Sequence, residues 1–321
     1  MRVLKVLRVA CLAAGLAAIS APGAWSQSKS VKIVVPYTPG SGPDITSRLM
    51  AEQIGRMQGA TVVIENRPGG GTVIGTELAA RAAPDGGTVL MIANSFVANP
   101  AVNRGNYHPT NSFDPVCQLA VTPMVLVMQG SSPYKTLDDL LAAARKEPGK
   151  LSLASGGPAS SLHFGFEIVK RAAKVDMTYV PYGGTAPSIN ALMGGHVTSV
   201  FADYPTVVSQ LKAGTLRALV TTSPSRVDEL PGVPTLTETG LTKYEDEIFY
   251  GIVAPAKTPP EALKQLSAWF TAAMQTPEVK PKLAQQGLFA KVRCGDAFDA
   301  AIKSKVEDYT RVAREANIKV N

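Results

Sequence analysis

The chain has 321 residues with 32 lysines and arginines against 25 aspartates and glutamates, and its first 26 residues hold three of the basic side chains and no acidic one. The remainder carries 29 basic against 25 acidic groups, a net +4, with no Lys/Arg block and no basic helix interleaved with aromatics, which excludes a nucleic-acid binder. Past residue 26 only Cys117 and Cys294 remain, without C-x-x-C or metal-ligand spacing, which excludes a zinc or dithiol redox centre; whether the two pair or stay free stays open.

At the N-terminus, Arg2, Lys5 and Arg8 precede an apolar run at 9–19 and then Ala24-Trp25-Ser26, the order of a secretory signal peptide. The run is far shorter than the roughly 20 residues of a membrane-spanning helix, so residues 1–26 are expected to be removed. Cys11 is a poor lipid anchor, because Arg8 stands where an apolar residue is wanted and the apolar run follows the cysteine. A mature chain of about 295 residues exceeds one compact core, so two lobes are expected.

The first predicted strand, 31–35, runs through a turn at 36–43 into a helix carrying Ile45, Leu49, Ile54 and Met57. A second strand at 61–65 leads through Gly69-Gly70-Gly71 to a helix through Ile74, Leu78 and Ala82, and a third follows at 88–93 after Pro84-Asp85-Gly86-Gly87. After Pro123 the pattern restarts: strand 124–128, helix 137–145, strand 151–154, helix 161–174, strand 177–180, a helix through Ile189 and Leu192, strand 197–201, helix 207–212 and strand 216–221. Residues 224–234 form a Pro-rich surface loop. A strand at 248–253 and helices at 261–275 and 295–316 complete the chain. The alternation predicts an α/β protein with mostly parallel sheets.

Three glycine- and serine-rich loops follow strands and open helices: Tyr37-Thr38-Pro39-Gly40-Ser41-Gly42-Pro43-Asp44, Gly69-Gly70-Gly71-Thr72, and Ser155-Gly156-Gly157-Pro158-Ala159-Ser160-Ser161. A helix N-terminus presents unpaired N–H groups and about half a positive charge, so such loops can hold an anion without an arginine. In open α/β sheets ligands bind beyond the carboxyl ends of strands, where these loops lie. Asp44 would repel an anion, and is expected instead to cap the helix or fix a bridging water. Asp203 either pairs with an amino group or sits in a plain loop. Nucleophile-elbow, Walker, H-E-x-x-H and complete G-x-G-x-x-G motifs are all missing. His108, His163 and His196 are scattered, and only His163 adjoins a candidate loop. An enzyme would have to rely on Ser160, Ser161 and His163, with no base-orienting partner visible.

Specific runs carry a resemblance over essentially the whole mature chain. They are Val34-Val35-Pro36-Tyr37 with Pro39-Gly40 and Asp44; Val63-Ile64-Glu65-Asn66-Arg67-Pro68-Gly69; and Ala83-Pro84-Asp85-Gly86. Further on come Pro148-Gly149-Lys150-Leu151 with Ala154-Ser155-Gly156, Ser161-Leu162-His163, Val180-Pro181-Tyr182-Gly183-Gly184, and Leu230-Pro231-Gly232-Val233-Pro234-Thr235. In number, order and spacing these make the chain similar to the solute-binding receptors of tripartite tricarboxylate transporters, also called Bug proteins.

The resemblance implies a two-lobed, type II periplasmic-binding-protein fold of α/β class. One lobe would comprise 27–123 plus 251–321 and the other 124–250, with the chain crossing near Pro123 and near Tyr250-Gly251. It implies a carboxylate gripped in the cleft by two loops: Tyr37, Thr38, Pro39, Gly40, Ser41, Gly42 and Asp44 from one lobe, Ser155, Gly156, Ala159 and Ser160 from the other. Ser95, Phe96, Pro181, Tyr182, Gly183 and Asp203 would line the rest, and Phe96, Phe201, Tyr204 and Tyr250 are candidate walls for an apolar ligand body. It further implies no cofactor, no metal and no catalysis. The protein would be a periplasmic monomer that hands its ligand to inner-membrane permease subunits, or reports it to a membrane signalling protein. Dicarboxylates, tricarboxylates, acidic amino acids and aromatic acids all stay open.

Overall fold

The computed structural model describes residues 30–157 and 160–318; the expected signal peptide at 1–26 and the site candidate Ala159 lie outside them. Among the described residues no helix is long and apolar enough to cross a membrane. β1 (Ser30–Val35) pairs in parallel with β2 (Thr61–Asn66) and β3 (Thr88–Ile92), with α1 (Gly42–Gln58), α2 (Val73–Ala80) and α3 (Ser95–Ala101) between and after them. β4 (Phe113–Gln129) follows, then α4 (Leu137–Lys146), β5 (Ser152–Ser155), α5 (Ser161–Ala173), β6 (Thr178–Pro181), α6 (Thr185–Met193), β7 (Ser199–Asp203), α7 (Tyr204–Lys212) and β8 (Leu216–Thr221). The chain ends with β9 (Glu247–Pro255), α8 (Pro260–Gln275), α9 (Val279–Gln285), β10 (Phe289–Cys294) and α10 (Asp296–Glu315).

Local sequence accounts for these elements. α4 shows the logic compactly: Thr136 and Asp139 form a reciprocal capping box, Asp138 and Asp139 sit at the positive end, and Arg145 and Lys146 sit at the negative end. Its Leu137, Leu140, Leu141 and Ala144 are buried, the i, i+3, i+4, i+7 stripe of a helix laid on a core.

β4 is the organising strand. Its first part, up to Pro123, pairs with β9 and β10; from Met124 it pairs with β7 and β8. One 17-residue strand thus belongs to two sheets, joined in the order β2-β1-β3-β9-β4-β7-β5-β6. On the return, β9 already pairs in the first sheet from Glu247, so the sheet changes ahead of the Tyr250-Gly251 step that the sequence suggested. The expectation of mostly parallel sheets needs correcting. Strand pairing is parallel among β1, β2 and β3 and among β5, β6 and β7, whereas every pair made by β4 and β9 is antiparallel. A strand that arrives from the neighbouring sheet needs no crossover helix, and antiparallel pairing is then open to it.

Where the chain changes sheets, the two connections are stitched together. The Thr222 amide donates to the Met124 carbonyl (3.1 Å) and the Asp246 amide to the Thr222 carbonyl (2.9 Å). Asp246 is 2 % exposed. Its carboxylate accepts from the hydroxyls of Tyr244 (2.7 Å) and Tyr309 (2.8 Å) and pairs with the Lys305 ammonium. Tyr309 and Lys305 lie on α10, which also meets α5 through the rings of Tyr309 and Phe164, 4.7 Å apart.

Cys117 and Cys294 lie opposite each other on β4 and β10 and form a disulfide with a Cα–Cα distance of 4.0 Å, which closes the question the sequence left open. The bond ties positions 177 residues apart, so it restricts the unfolded chain strongly. Replacing both by serine is expected to cost about 2–4 kcal/mol, read as a lower urea midpoint; an unchanged midpoint would contradict a disulfide-stabilised fold.

Candidate functional site

A cavity of about 650 Å³ opens between the two sheets, within the size range of small-molecule sites. Five helices begin at its wall: Gly42 of α1, Ser95 of α3, Ser161 of α5, Thr185 of α6 and Thr206 of α7 all line it. Neither α1 nor α6 is capped by a side chain, which leaves their terminal N–H groups for a guest. No lysine, arginine or histidine is among the lining residues. What this wall offers an anion therefore comes from backbone dipoles, each worth about half a charge at a helix start.

The first loop reaches the cavity as expected, with Tyr37, Thr38, Pro39, Gly40, Ser41 and Gly42 all on its wall. Gly40 has φ +81°, a left-handed conformation that β-branched residues avoid. Gly42 is needed for space: a Cβ there would lie 2.6 Å from the Tyr250 hydroxyl. Asp44 faces away from the cavity. It is buried and accepts from the Gly40 amide (2.9 Å), Arg48 Nε (2.9 Å) and Asn66 Nδ2 (2.8 Å). Burial alone would raise its pKa, but the bonds from Arg48, Gly40 and Asn66 together outweigh burial and lower it. Its role is to pin the Gly40 turn from behind, so the expected repulsion of an anion does not arise.

From the second loop Gly156, Ser160 and Ser161 line the cavity, whereas Ser155 is fully buried and bonded to the Tyr179 hydroxyl (2.9 Å). Ser95 is on the wall, held by the Tyr37 hydroxyl at 2.7 Å and by Thr72 Oγ1 at 3.1 Å. Phe96 is not; it packs on Tyr107 and Phe113 in the core. Pro181, Tyr182 and Gly183 also miss the wall, and the next residues, Gly184 and Thr185, take their place. Asp203 lines it, its two oxygens accepting from Thr185 Oγ1 (2.8 Å) and Thr206 Oγ1 (2.6 Å).

Of the aromatic candidates, only Tyr250 reaches the cavity; Phe201 and Tyr204 are core residues. The third glycine loop, Gly69-Gly70-Gly71, is not on the wall either. It supports the site at one remove, since Asn99 Nδ2 bonds the Gly71 carbonyl (2.7 Å) and Thr72 holds Ser95. Sequence reasoning missed Asn94, Pro205, Thr206, Ile248, Gln286 and Leu288. Gln286 and Leu288 follow α9, far from any loop motif, and carry no signal that could have found them.

Two of the three residues an enzyme would rely on, Ser160 and His163, have partners of their own, and His163 Nε2 lies 3.8 Å from Glu167 Oε1. Ser160 Oγ donates to the Gly157 carbonyl (2.8 Å) and accepts the His163 amide (3.3 Å), while the His163 ring stacks on Tyr179 with centroids 3.9 Å apart. Burial, with a smaller contribution from Lys170, lowers the His163 pKa to about 4 from its ordinary value near 6.5. Between pH 6.5 and 4 the unfolded chain takes up a proton that the folded one refuses, so this histidine makes the fold less stable as pH falls through that window. In H163F the urea midpoint is expected to drop less between pH 7 and 4.5 than in the unaltered protein; an equal drop would contradict a buried neutral imidazole. Among the described residues no cluster of three or more His, Cys, Asp or Glu could hold a metal ion.

Residues 46–317 match the family described as tripartite tricarboxylate transporter family receptor. A protein of Cupriavidus necator, known as the UPF0065 protein in the gbd 5' region, is 34 % identical over 281 residues, covering 87 % of this chain and 85 % of the relative. An R. palustris protein solved with adipate superposes with a TM-score of 0.82 at 28 % identity, covering 92 % of this chain and 99 % of that one. MatC from Rhodopseudomonas palustris, solved with bound malate, gives 0.78 at 27 % identity, covering 89 % and 99 %. The two-lobed architecture is thus that of periplasmic binding proteins, and the chain belongs to the receptor family of the tripartite tricarboxylate transporters.

Proposed function

We propose that this protein captures a small carboxylate in the cavity between its two sheets, and delivers it to the inner-membrane permease subunits of a tripartite carrier. The observation that carries the reading is the convergence of two glycine-serine loops, Tyr37 to Gly42 and Gly156 to Ser161, from different sheets on one cavity without cationic side chains. A carboxylate offers two oxygens, one to each such set of amides. The relatives solved with adipate and malate support the ligand class. The protein acts as an exported monomer without cofactor or turnover, and closure turns on the paired connections at Pro123–Met124 and Asp246–Glu247.

A thermal-shift screen of refolded, ligand-stripped protein against aliphatic, amino and aromatic carboxylates tests this. Ligand at a hundred times its Kd adds about 2.7 kcal/mol, or roughly 4 °C for a chain of this size. A shift with one subset is the expected result; no shift with any carboxylate would overturn the reading.

A further inference from the structure

Beside the glycine loops the wall of the cavity carries an anion of its own. Asp203 is half-buried, each of its oxygens accepts one threonine hydroxyl, and among the described residues no lysine or arginine pairs with it. Both threonines are themselves on the wall, so the carboxylate is oriented by neutral donors and keeps acceptor capacity toward the cavity. Tyr250 supplies a second group of the same kind. It is only 4 % exposed and lines the cavity, and its hydroxyl makes no hydrogen bond among the described residues. That hydroxyl stands over Gly42, at the start of α1. Burial first, and then the fields of Asp203 and Tyr37, hold it protonated far above neutral pH.

Once a bound guest takes this wall out of water, a hydroxyl left without a partner is costly, and a carboxylate left without one is more so. Both costs vanish if the guest brings the missing partner. We infer that the ligand is an amino-carboxylate: its carboxylate sits on the Gly40–Gly42 and Ser160–Ser161 side, and its ammonium faces Asp203 beside the Tyr250 hydroxyl. This rests on the carboxylate-receptor reading and sharpens it, because a plain dicarboxylate would set its second anion against Asp203. A hydroxyl in the place of the ammonium would supply a hydrogen bond but would leave the charge of Asp203 unpaired.

Calorimetric titration with matched pairs tests it: aspartate against succinate, glutamate against glutarate, and phenylalanine against 3-phenylpropionate, with malate as the hydroxyl-bearing member of the first series. In the pair that binds most tightly, the amine-bearing acid is expected to bind at least tenfold more tightly than its partner. In D203N that preference is expected to shrink at least tenfold or reverse, with the variant's circular dichroism unchanged. Equal or tighter binding of the deaminated acids, malate binding above aspartate, or a D203N variant that weakens both members alike would each overturn the amino-carboxylate assignment while leaving a carboxylate receptor standing. Silence with every acid tested would instead remove the receptor reading and this assignment together. Should D203N fail to fold, the comparison of matched pairs in the unaltered protein still decides.

Discussion

In a Gly40→Val, Gly156→Val double variant, affinity for the carboxylate is expected to fall by at least ~100-fold while the protein stays folded. At Gly40 a side-chain carbon would meet nothing within 4 Å, so the effect comes from the backbone, whose φ of +81° a β-branched residue cannot hold without strain. The turn must then rotate, breaking the Gly40 amide's bond to Asp44 and the Ser41 amide's bond to the Thr38 carbonyl and carrying Gly42, the start of α1, off the cavity wall. At Gly156 the backbone is ordinary and space decides: a Cβ would meet the Thr185 amide at 3.2 Å and Thr185 Oγ1 at 3.4 Å, and the two further methyl groups of valine would push α6 outward or fill the cavity. Each hydrogen bond to a charged group is worth about 1.5–3 kcal/mol, so the loss of one on each wall accounts for two or more orders of magnitude. Calorimetry with the panel ligand, alongside circular dichroism, checks this. A folded double variant with unchanged affinity would place the ligand elsewhere.

Asp246→Ala is expected to have the largest effect on stability, about 3–5 kcal/mol, lowering Tm by roughly 5–8 °C. The substitution leaves the Lys305 ammonium and the hydroxyls of Tyr244 and Tyr309 without their common acceptor in a site that is almost closed to water. The network reaches the cavity as well, because Asn94 on its wall donates to the Tyr309 hydroxyl (2.8 Å) and accepts the Phe249 amide (2.9 Å). Part of the loss is the orphaned ammonium, so Asp246→Leu combined with Lys305→Met is expected to cost less than Asp246→Ala alone. A loss below about 1 kcal/mol in the alanine variant would mean that water reaches the cluster and that it does not clamp the connections between the sheets.

Much of the fold could be read from the chain because strands and helices here carry their periods openly. β1, β2 and β3 are short apolar runs closed by glycine and proline, and α4 announces both of its ends. What escaped has physical causes. The first part of β4 contains Pro115 and is followed by Pro123 at the sheet change, and its register shifts twice against β9, so neither alternation nor continuity marks it as a strand. α3 is seven residues long with Pro100 inside. β10 is half exposed and alternates poorly.

The site divides in the same way. Loops at strand ends were visible as glycine clusters, and two of the three reach the cavity. The third looks alike in sequence but is turned to brace Thr72 and Asn99. Phe96 and Ser155 neighbour wall residues in the chain yet face the core, since a side chain's direction depends on how the loop enters its helix. Tyr250 was visible as an aromatic residue; that its hydroxyl occupies the place of a missing side chain at Gly42 depends on β9 meeting the start of α1, which no local pattern carries.

The most direct measurement is a crystal structure of the complex with the panel acid that gives the largest thermal shift. The expected result is one carboxylate group within hydrogen-bond distance of amides from both the Gly40–Gly42 and the Gly156–Ser161 loops, with the two sheets drawn together around it. A ligand bound to one loop alone, or outside the cavity between the sheets, would contradict the two-loop grip.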